Sequence, residues 1–351
     1  MDVHDEKTRE RSRLHDMNTI HEIVRRATAN VRDLVNGKRR VLLAAAGSLV
    51  AAGVGAAVPP PAFLGGGYAF DAAASDEFDG TGLDDGKWLD WVASFQGRSR
   101  GFLFARDNVA VRNGCLELTA RLLREDEKTV ENLRRGFDTY ATAIVKARRK
   151  THYGYYECRA KTMKACVCNA FWLYDPLSDQ PRKKFRPGDT TEEIDIFEVF
   201  GKRGTIADYD CDRIYFNTVH CLDTPYLEGI VNSGARTLPN RGHQERVDFD
   251  FWADYHVYGF LWTEKELTWF VDGKEVFSRE NDVFRRPMHV TFDCEIMYSW
   301  TGEPDKADLP QVYSIDYFRF WRSARRPVAY QETVEPNFEP DVKTLLAAPE
   351  R

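Results

Sequence analysis

Three acidic residues stand within six positions in the segment E-I-D-I-F-E, residues 193–198. On a β-strand, Glu193 and Asp195 share one face, and the isoleucines between them point to the other face. Strict alternation would then place Phe197, and not Glu198, beside the first two acids. A one-residue β-bulge between Asp195 and Glu198 returns Glu198 to their face. We therefore predict three carboxyl groups on one short patch of strand.

Crowded carboxyl groups can divide acid and base roles between them. Like charges at close range raise the pKa of at least one group, as a general acid working near neutral pH requires. Two carboxyl groups about 5–5.5 Å apart perform retaining glycoside hydrolysis, in which one attacks the anomeric carbon and the other handles the protons. A solvated acidic strand and a calcium site are the alternatives. The interleaved apolar residues argue against a merely solvated face.

The residues from Ser75 onward favour β-structure, because short alternating segments are separated by turn residues. The dipeptides Asn113-Gly114 and Asp272-Gly273 predict tight hairpin turns. Such a pattern over about 250 residues predicts an all-β fold, a single sandwich of two antiparallel sheets. The predicted strands are 109–111, 115–120, 153–161, 170–174, 193–200, 256–262, 268–271 and 314–321.

Composition and charge exclude several classes of protein. The chain has 351 residues, of which 43% are hydrophobic and 30% charged, so wholesale disorder is excluded. The aromatic content of 13% suits sheets and carbohydrate clefts, and the net charge of −6 argues against nucleic-acid binding. Seven cysteines cannot all pair within one chain, and zinc-ligand spacing is absent. A disulfide between Cys211 and Cys221 is left open.

The N-terminal residues predict export. Residues 1–40 form a charged leader, partly helical or disordered, and residues 41–58 follow three basic residues and carry no charge. Basic residues before a short apolar run are typical of an export signal, here with cleavage after Ala74 or earlier. An uncleaved membrane anchor is the alternative. We therefore expect a periplasmic or extracellular protein, with the linker, folded domain and tail at 59–74, 75–325 and 326–351.

The bulged E-x-D-x-x-E segment resembles the signature of glycoside hydrolase family 16, and further segments match in the family's order. They are S-D-E-F at 75–78, L-D-D-G-K-W at 83–88, N-V-A-V-R-N-G-C-L-E-L at 108–118, Y-G-Y-Y-E-C-R-A-K at 153–161, F-W-L at 171–173, Y-H-V-Y-G-F-L-W at 255–262, W-F-V-D-G-K at 269–274 and I-D-Y-F-R-F-W at 315–321. The resemblance implies a concanavalin-like β-jelly roll with a concave cleft, and endo-cleavage of a β-linked polysaccharide with retention. It implies that Glu193 is the nucleophile, Asp195 the assisting acid and Glu198 the acid/base.

Details within the family are similar to the agarase, porphyranase and carrageenase branch. These are N-A-F-W-L at 169–173, N-T-V-H at 217–220 and F-D-C-E-I-M-Y-S-W at 292–300. They imply a marine galactan as substrate, with His220 and Glu295 binding sugar. The segment W-T-G-E-P-D at 300–305 is similar to glucanases instead, which leaves a β-1,3 or β-1,3/1,4-glucan as the alternative substrate. A non-catalytic carbohydrate-binding module and a wall transglycosylase are the other functional alternatives.

Aromatic and basic residues complete the predicted sugar site. Trp172, Trp91 and Trp300 are candidates for stacking on pyranose faces, with core packing as the alternative. The loop at 175–189 carries four basic residues, among which Arg182 and Arg186 could bind sulfate bidentately.

The expected cofactors and partners are few. The resemblance implies a structural calcium ion, for which Asp316 matches a usual ligand position. We expect no cofactor for catalysis, a polysaccharide as partner, no nucleic acid and a monomer, with membrane anchoring through 41–58 as the alternative to cleavage.

Overall fold

The computed structural model describes residues 58–92, 95–98, 101–175, 190–223 and 242–324. These residues contain one short α-helix, α1 at Val130–Arg134, and five 3₁₀ turns at Ala62–Leu64, Arg106–Asn108, Glu125–Glu127, Cys211–Arg213 and Lys306–Asp308. Everything else that is regular is β-strand. The strands are β1 (Tyr68–Phe70), β2 (Trp88–Leu89), β3 (Gly97–Arg98), β4 (Phe102–Phe104), β5 (Val109–Arg112), β6 (Cys115–Leu122), β7 (Tyr140–Thr151), β8 (Gly154–Lys161), β9 (Cys168–Tyr174), β10 (Thr190–Val199), β11 (Ile214–Asn217), β12 (Val219–Asp223), β13 (His243–Arg246), β14 (His256–Trp262), β15 (Glu266–Val271), β16 (Lys274–Glu280), β17 (Met288–Glu295) and β18 (Gln311–Ser323).

The strands form two main antiparallel sheets. The back sheet has the order β5-β6-β18-β8-β14-β15-β16, and β1 pairs with the end of β18. The front sheet has the order β2-β7-β17-β9-β10, and β12 and β11 pair with successive parts of β10. Strand β13 extends the front sheet from β11, and β3 and β4 join the start of β7 in a small third sheet. This all-β jelly roll confirms the predicted fold class.

A continuous aromatic core joins the two main sheets. Phe171 of β9 and Phe292 of β17 stack in the front sheet with ring centroids 4.7 Å apart. Both rings lie 5.9 Å from Phe318 of β18 in the back sheet. All three side chains are fully buried. Because inward residues alternate with outward ones, the other face of the front sheet is free to carry polar groups.

Both predicted hairpin turns are confirmed. Asn113 and Gly114 connect β5 to β6 with φ of 55° and 75°, and Asp272 and Gly273 connect β15 to β16 with φ of 50° and 73°. Consecutive left-handed residues of this kind match the twist of a two-residue hairpin. The strand predicted at 256–262 has the observed bounds of β14, and the other predicted strands differ from the observed ones by a few residues at their ends.

The residues predicted as a linker, 59–74, pack on the back sheet. Phe63 stacks on Phe270 of β15 with ring centroids 4.9 Å apart. The indole Nε1 of Trp321 in β18 donates a 2.9 Å hydrogen bond to the carbonyl of Val58. We call residues 58–70 the strap. The strap ends in β1, so these residues belong to the folded sandwich and do not act as a free linker.

The charged leader, nearly all of 41–58 and the tail from 325 onward lie outside the described residues. Export, cleavage and membrane anchoring therefore stay predictions. Within the described ranges, no helix has both the length and the apolar character needed to cross a bilayer.

Candidate active site

The predicted bulge is present on β10. Pairing with β9 skips Ile196, which is the extra residue, and the register resumes at Phe197. Glu193, Asp195 and Glu198 consequently line one cleft on the outer face of the front sheet. The apolar residues at the bulge, Ile194, Ile196 and Phe197, are fully buried in the core. The predicted bulge, and the predicted placement of the three acids on one face, are therefore confirmed.

Side chains from other strands satisfy the carbonyl groups at the bulge. The hydroxyl of Tyr215 in β11 donates a 2.5 Å hydrogen bond to the carbonyl of Ile196. The indole Nε1 of Trp269, in the back sheet, donates a 3.2 Å hydrogen bond to the carbonyl of Asp195. Buried carbonyl groups that leave the ladder need such partners. These two donors therefore hold the backbone conformation that turns Glu198 towards the cleft.

The cleft has a volume of about 250 Å³ and lies across the front sheet. Its lining residues come from β3, β7, β9, β10, β17 and the segments beside them. They are Val92, Phe95, Arg98, Ile144, Lys146, Ala170, Trp172, Tyr174, Glu193, Asp195, Glu198, Thr291, Asp293, Glu295 and Met297. Five carboxyl groups, two cationic groups and several aromatic rings thus share one groove, a composition suited to a polar, ring-shaped ligand.

His220 joins the acidic cluster from β12, where it lies directly opposite Glu193. Its Nε2 atom lies 3.7 Å from Oε1 of Glu193 and 3.5 Å from Oδ2 of Asp195. The candidate ligand atoms of these three residues all lie within 4.8 Å of one another. This geometry could also hold a cation, although the sequence predicts no metal in catalysis. His220 is therefore placed to orient the acids or a sugar hydroxyl.

Burial and mutual repulsion raise the pKa values of Glu193 and Glu198. Burial, and then the charge of Asp195, raises the pKa of Glu193 to about 7. The same two causes raise the pKa of Glu198 well above its usual range, with Glu193 and Glu295 adding to the effect. These carboxyl groups titrate as a set, since each proton lost makes the next loss harder. The cluster can therefore hold a proton at neutral pH, which general acid catalysis requires.

A pair of acids on β17 lies across β9 from the three acids of β10. Asp293 and Glu295 project from β17 into the cleft, and Arg98 forms an ion pair with Glu295 through Nε. Its Nη2 lies 3.4 Å from the other carboxylate oxygen. Burial, followed by the charge of Glu295, raises the pKa of Asp293 well above its usual range. The predicted sugar ligand Glu295 does line the cleft, but Arg98 already binds its carboxylate.

The structure separates the three predicted tryptophans. Trp172 lies opposite Asp195 and lines the cleft. Trp300 instead packs edge-on against Phe200 and Phe216, with ring centroids 5.1 and 4.7 Å apart. Its ring packs against a small apolar cluster that includes Phe200 and Phe216. Trp300 is not among the cleft-lining residues that the structure describes.

Trp91 also departs from its predicted stacking role. Its ring lies beneath the guanidinium of Arg106 at 5.5 Å, and it is not among the cleft-lining residues that the structure describes. Its neighbour Val92 lines the cleft in its place. One position along the chain thus decides which side chain meets the groove.

Three predicted ligands remain: Arg182, Arg186 and Asp316. Arg182 and Arg186 fall outside the described residues, so their role in sulfate binding stays a prediction. Asp316 lies on β18 in the back sheet, and its Oδ2 accepts a 2.7 Å hydrogen bond from Arg159. A cation already neutralises this carboxylate, which weakens the case for a calcium ligand; the calcium site also stays a prediction.

All seven cysteines are free and buried. The disulfide between Cys211 and Cys221, which the sequence left open, is not formed. Cys168 contacts the acidic cluster, because its Sγ is 3.7 Å from Oε1 of Glu198.

Sequence reasoning missed three charged residues that line the cleft, Arg98, Lys146 and Asp293, and the buried Cys168 beside Glu198. Asp293 stands two positions before Glu295 on the same strand, so strand alternation could have identified it. The other three carry no local signal, because strand register alone brings them to the acids.

Comparison with known proteins agrees with this architecture. The family model described as "Beta-porphyranase A-D, GH16 domain" matches residues 68–323. Beta-porphyranase B of Zobellia galactanivorans is 31% identical over 207 residues, which cover 57% of this chain and 64% of that protein. The kappa-carrageenase of Pseudoalteromonas carrageenovora is 27% identical over 293 residues, covering 75% and 67% of the two chains. Proteins named as glucanases are also among the relatives.

A solved structure shares the fold. The crystal structure of porphyranase B from Zobellia galactanivorans superposes with a TM-score of 0.58 at 26% identity, covering 73% of this chain and 92% of that one. The chain thus spans a little under two thirds of the porphyranase B sequence that it matches, but nearly all of the crystallised porphyranase domain.

Proposed function

This chain belongs to the glycoside hydrolase family 16 domains described by the β-porphyranase A–D model, and we propose that it is a retaining, endo-acting hydrolase. The proposed substrate is a β-linked marine galactan of the agar, porphyran or carrageenan type. The observation that carries the proposal is the bulge of β10, which places Glu193, Asp195 and Glu198 together on the cleft floor.

The first step of the proposed reaction breaks the glycosidic bond. The ionised Glu193 attacks the anomeric carbon and forms a glycosyl ester, while Glu198 donates its proton to the departing sugar oxygen. The raised pKa of Glu198 keeps that proton available, and its main cause is burial in the cleft. Trp172 can stack on a sugar ring beside the reacting bond, since it is the β9 neighbour of Asp195.

The second step returns the enzyme to its starting state. Glu198, now a carboxylate, takes a proton from a water molecule, whose oxygen attacks the anomeric carbon and displaces Glu193. Two inversions at that carbon give net retention. Asp195 and His220 both stand beside Glu193, so both can hold its carboxylate in position and His220 can offset its charge. A sugar hydroxyl in place of water would give transglycosylation with the same residues.

Two observations favour a galactan over a glucan. The matched family model describes porphyranases, and the relatives reported above include a porphyranase and a kappa-carrageenase. Arg98 also lies in the cleft with 53% of its side chain exposed, so its guanidinium can meet an anionic group on a substrate. The glucanase-like segment at 300–305 keeps the glucan as the second candidate.

A reducing-end release assay on the full chain tests the proposal. The panel is porphyran, agarose, κ-carrageenan, laminarin and mixed-linkage glucan, with Glu193→Gln as the inactive variant and the exposed Glu275→Gln as its matched control. We expect release from a galactan, loss of release in Glu193→Gln and full release in Glu275→Gln. Early product observed by proton NMR should carry the β-anomer.

The other outcomes separate the alternatives. Release from a glucan alone would keep the mechanism and overturn the galactan substrate. Wild-type release by Glu193→Gln would overturn the assignment of the nucleophile. Binding of a polysaccharide without any release would favour a carbohydrate-binding module.

A further inference from the structure

Cys168 lies between the two groups of acids in the cleft. It is the first residue of β9 and shares the strand face of Ala170, Trp172 and Tyr174, which line the cleft. On its other side, it pairs directly with Glu295 of β17. The fold therefore places a thiol beside carboxyl groups from both neighbouring strands.

One contact of this thiol reaches the proposed acid/base. Sγ of Cys168 lies 3.7 Å from Oε1 of Glu198, within hydrogen-bond distance for sulfur, with the thiol as donor. Burial, followed by the charge of Glu198, raises the pKa of the Cys168 thiol well above its usual range. The side chain is fully buried. The thiol therefore keeps its proton and acts only as a weak donor.

We propose that Cys168 is a positioning residue for Glu198, and that its S–H group fixes one carboxyl oxygen without drawing away the proton needed for catalysis. This inference rests on the proposed function, since it takes Glu198 as the acid/base. A hydroxyl at the same place would donate more strongly and would stabilise the carboxylate form.

The charged groups around Glu198 determine how a hydrogen-bond donor at position 168 would change its pKa. The groups that act on it are Asp195 and Glu193 on its own strand, Asp293 and Glu295 on β17, and His220 on β12. Asp195, Glu193 and Glu295 oppose ionisation of Glu198, and His220 favours it. Glu198 in turn opposes ionisation of Asp293. A stronger donor at position 168 would add to the effect of His220 and lower the pKa of Glu198.

The test compares the pH dependence of kcat/KM in Cys168→Ser, Cys168→Ala and the wild-type full chain. The alkaline limb of the profile reports loss of the acid's proton. We expect Cys168→Ser to move that limb about one pH unit lower, since replacing a weak donor by a hydroxyl adds about one ordinary hydrogen bond to the carboxylate. We expect Cys168→Ala to leave the limb in place and to lower kcat about threefold.

Cys294→Ser is the matched control. Its thiol is equally buried, but it points into the core and contacts the carbonyl of Ala143 at 3.7 Å. An alkaline limb that Cys168→Ser leaves unmoved, or that Cys294→Ser moves equally, would overturn the inference. So would a wild-type kcat in Cys168→Ala, since the thiol would then only fill space.

A titration without substrate separates this inference from the proposed function. Carboxyl carbon NMR of ¹³C-glutamate-labelled protein, with the Glu198 signal assigned by its loss in Glu198→Gln, gives the pKa of Glu198 directly. A lower pKa in Cys168→Ser supports the positioning role even if no polysaccharide is cleaved. An unchanged pKa overturns it even if the enzyme is active.

Discussion

At the residue scale, the burial that raises the pKa of Glu193 also lowers the stability of the folded chain when this group ionises. Burial raises the pKa of Glu193 to about 7, with Asp195 adding to the shift. The folded chain therefore holds this proton more tightly than the unfolded chain, in which an ordinary Glu loses it near pH 4.3. The contribution of Glu193 to the free energy of unfolding consequently decreases as pH rises through the window between those two values.

This ionisation penalty predicts a pH-dependent gain in stability for Glu193→Gln. At pH 8 the amide avoids the ionisation penalty, so we expect the free energy of unfolding to rise by about 1–3 kcal/mol, or several degrees in Tm. At pH 4 the wild-type group is largely protonated in both states, so the gain should nearly vanish. Thermal unfolding at both pH values measures it, with Glu275→Gln as control. Equal Tm values for Glu193→Gln and wild type at pH 8 would contradict the argument.

At the element scale, the bulge of β10 depends on groups outside β10. Tyr215 and Trp269 donate to the two carbonyl groups that the bulge removes from the ladder. Trp269 belongs to the back sheet, so a hydrogen bond across the core helps to fix the orientation of Glu198. The bulge is thus a property of the whole sandwich as well as of the hexapeptide.

We predict that Tyr215→Phe destabilises the protein and slows turnover. The change leaves the buried carbonyl of Ile196 without its donor, which costs about 1–3 kcal/mol. Tyr258→Phe is a closely matched control, because its ring stacks parallel to that of Tyr215 at 6.2 Å and its buried hydroxyl has no hydrogen-bond partner among the residues that the structure describes. Urea unfolding and kcat should change in Tyr215→Phe and stay near wild type in Tyr258→Phe. Equal effects of the two would show that the hydrogen bond does not support the bulge.

The strap is the second element with a testable role. It covers Tyr155, Phe270 and Trp321, whose side chains are at most 7% exposed. Deleting residues 1–74 uncovers these rings, whereas deleting 1–57 leaves the strap in place. We expect the longer deletion to lower the free energy of unfolding by at least about 3 kcal/mol relative to the shorter one. Equal urea midpoints would show that the strap contributes little, and that a cut after Ala74 is tolerated.

The elements also show what the sequence could predict. The bulge followed from the sequence because three acids and three apolar residues cannot all satisfy strict alternation within 193–198. Arg98 and Cys168 could not be found in this way, since they reach the acids through register between distant strands. Trp300 was misplaced because an indole ring suits an apolar cluster as well as a sugar cleft.

At the scale of the whole molecule, the proposed sulfated galactan would have to approach an acidic protein. The chain carries a net charge of −6, and five carboxyl groups line its cleft. Arg98 forms an ion pair with Glu295, which partly neutralises the charge that Arg98 could offer to a ligand. A polyanion therefore needs further cations near the cleft. The chain provides four in one run, Arg182, Lys183, Lys184 and Arg186, between β9 and β10.

Strands β9 and β10, which precede and follow this run in the chain, both contribute residues to the cleft. We predict that replacing the four basic residues of the run by Ala lowers kcat/KM on porphyran at least tenfold, since a hydrogen-bonded charge pair contributes about 1.5–3 kcal/mol. Neutral agarose should be cleaved as before. Added salt should weaken porphyran cleavage by the wild type more than by the variant, because screening removes an attraction that the variant lacks. Equal losses on both polysaccharides would mean that the run supports the cleft without recognising sulfate.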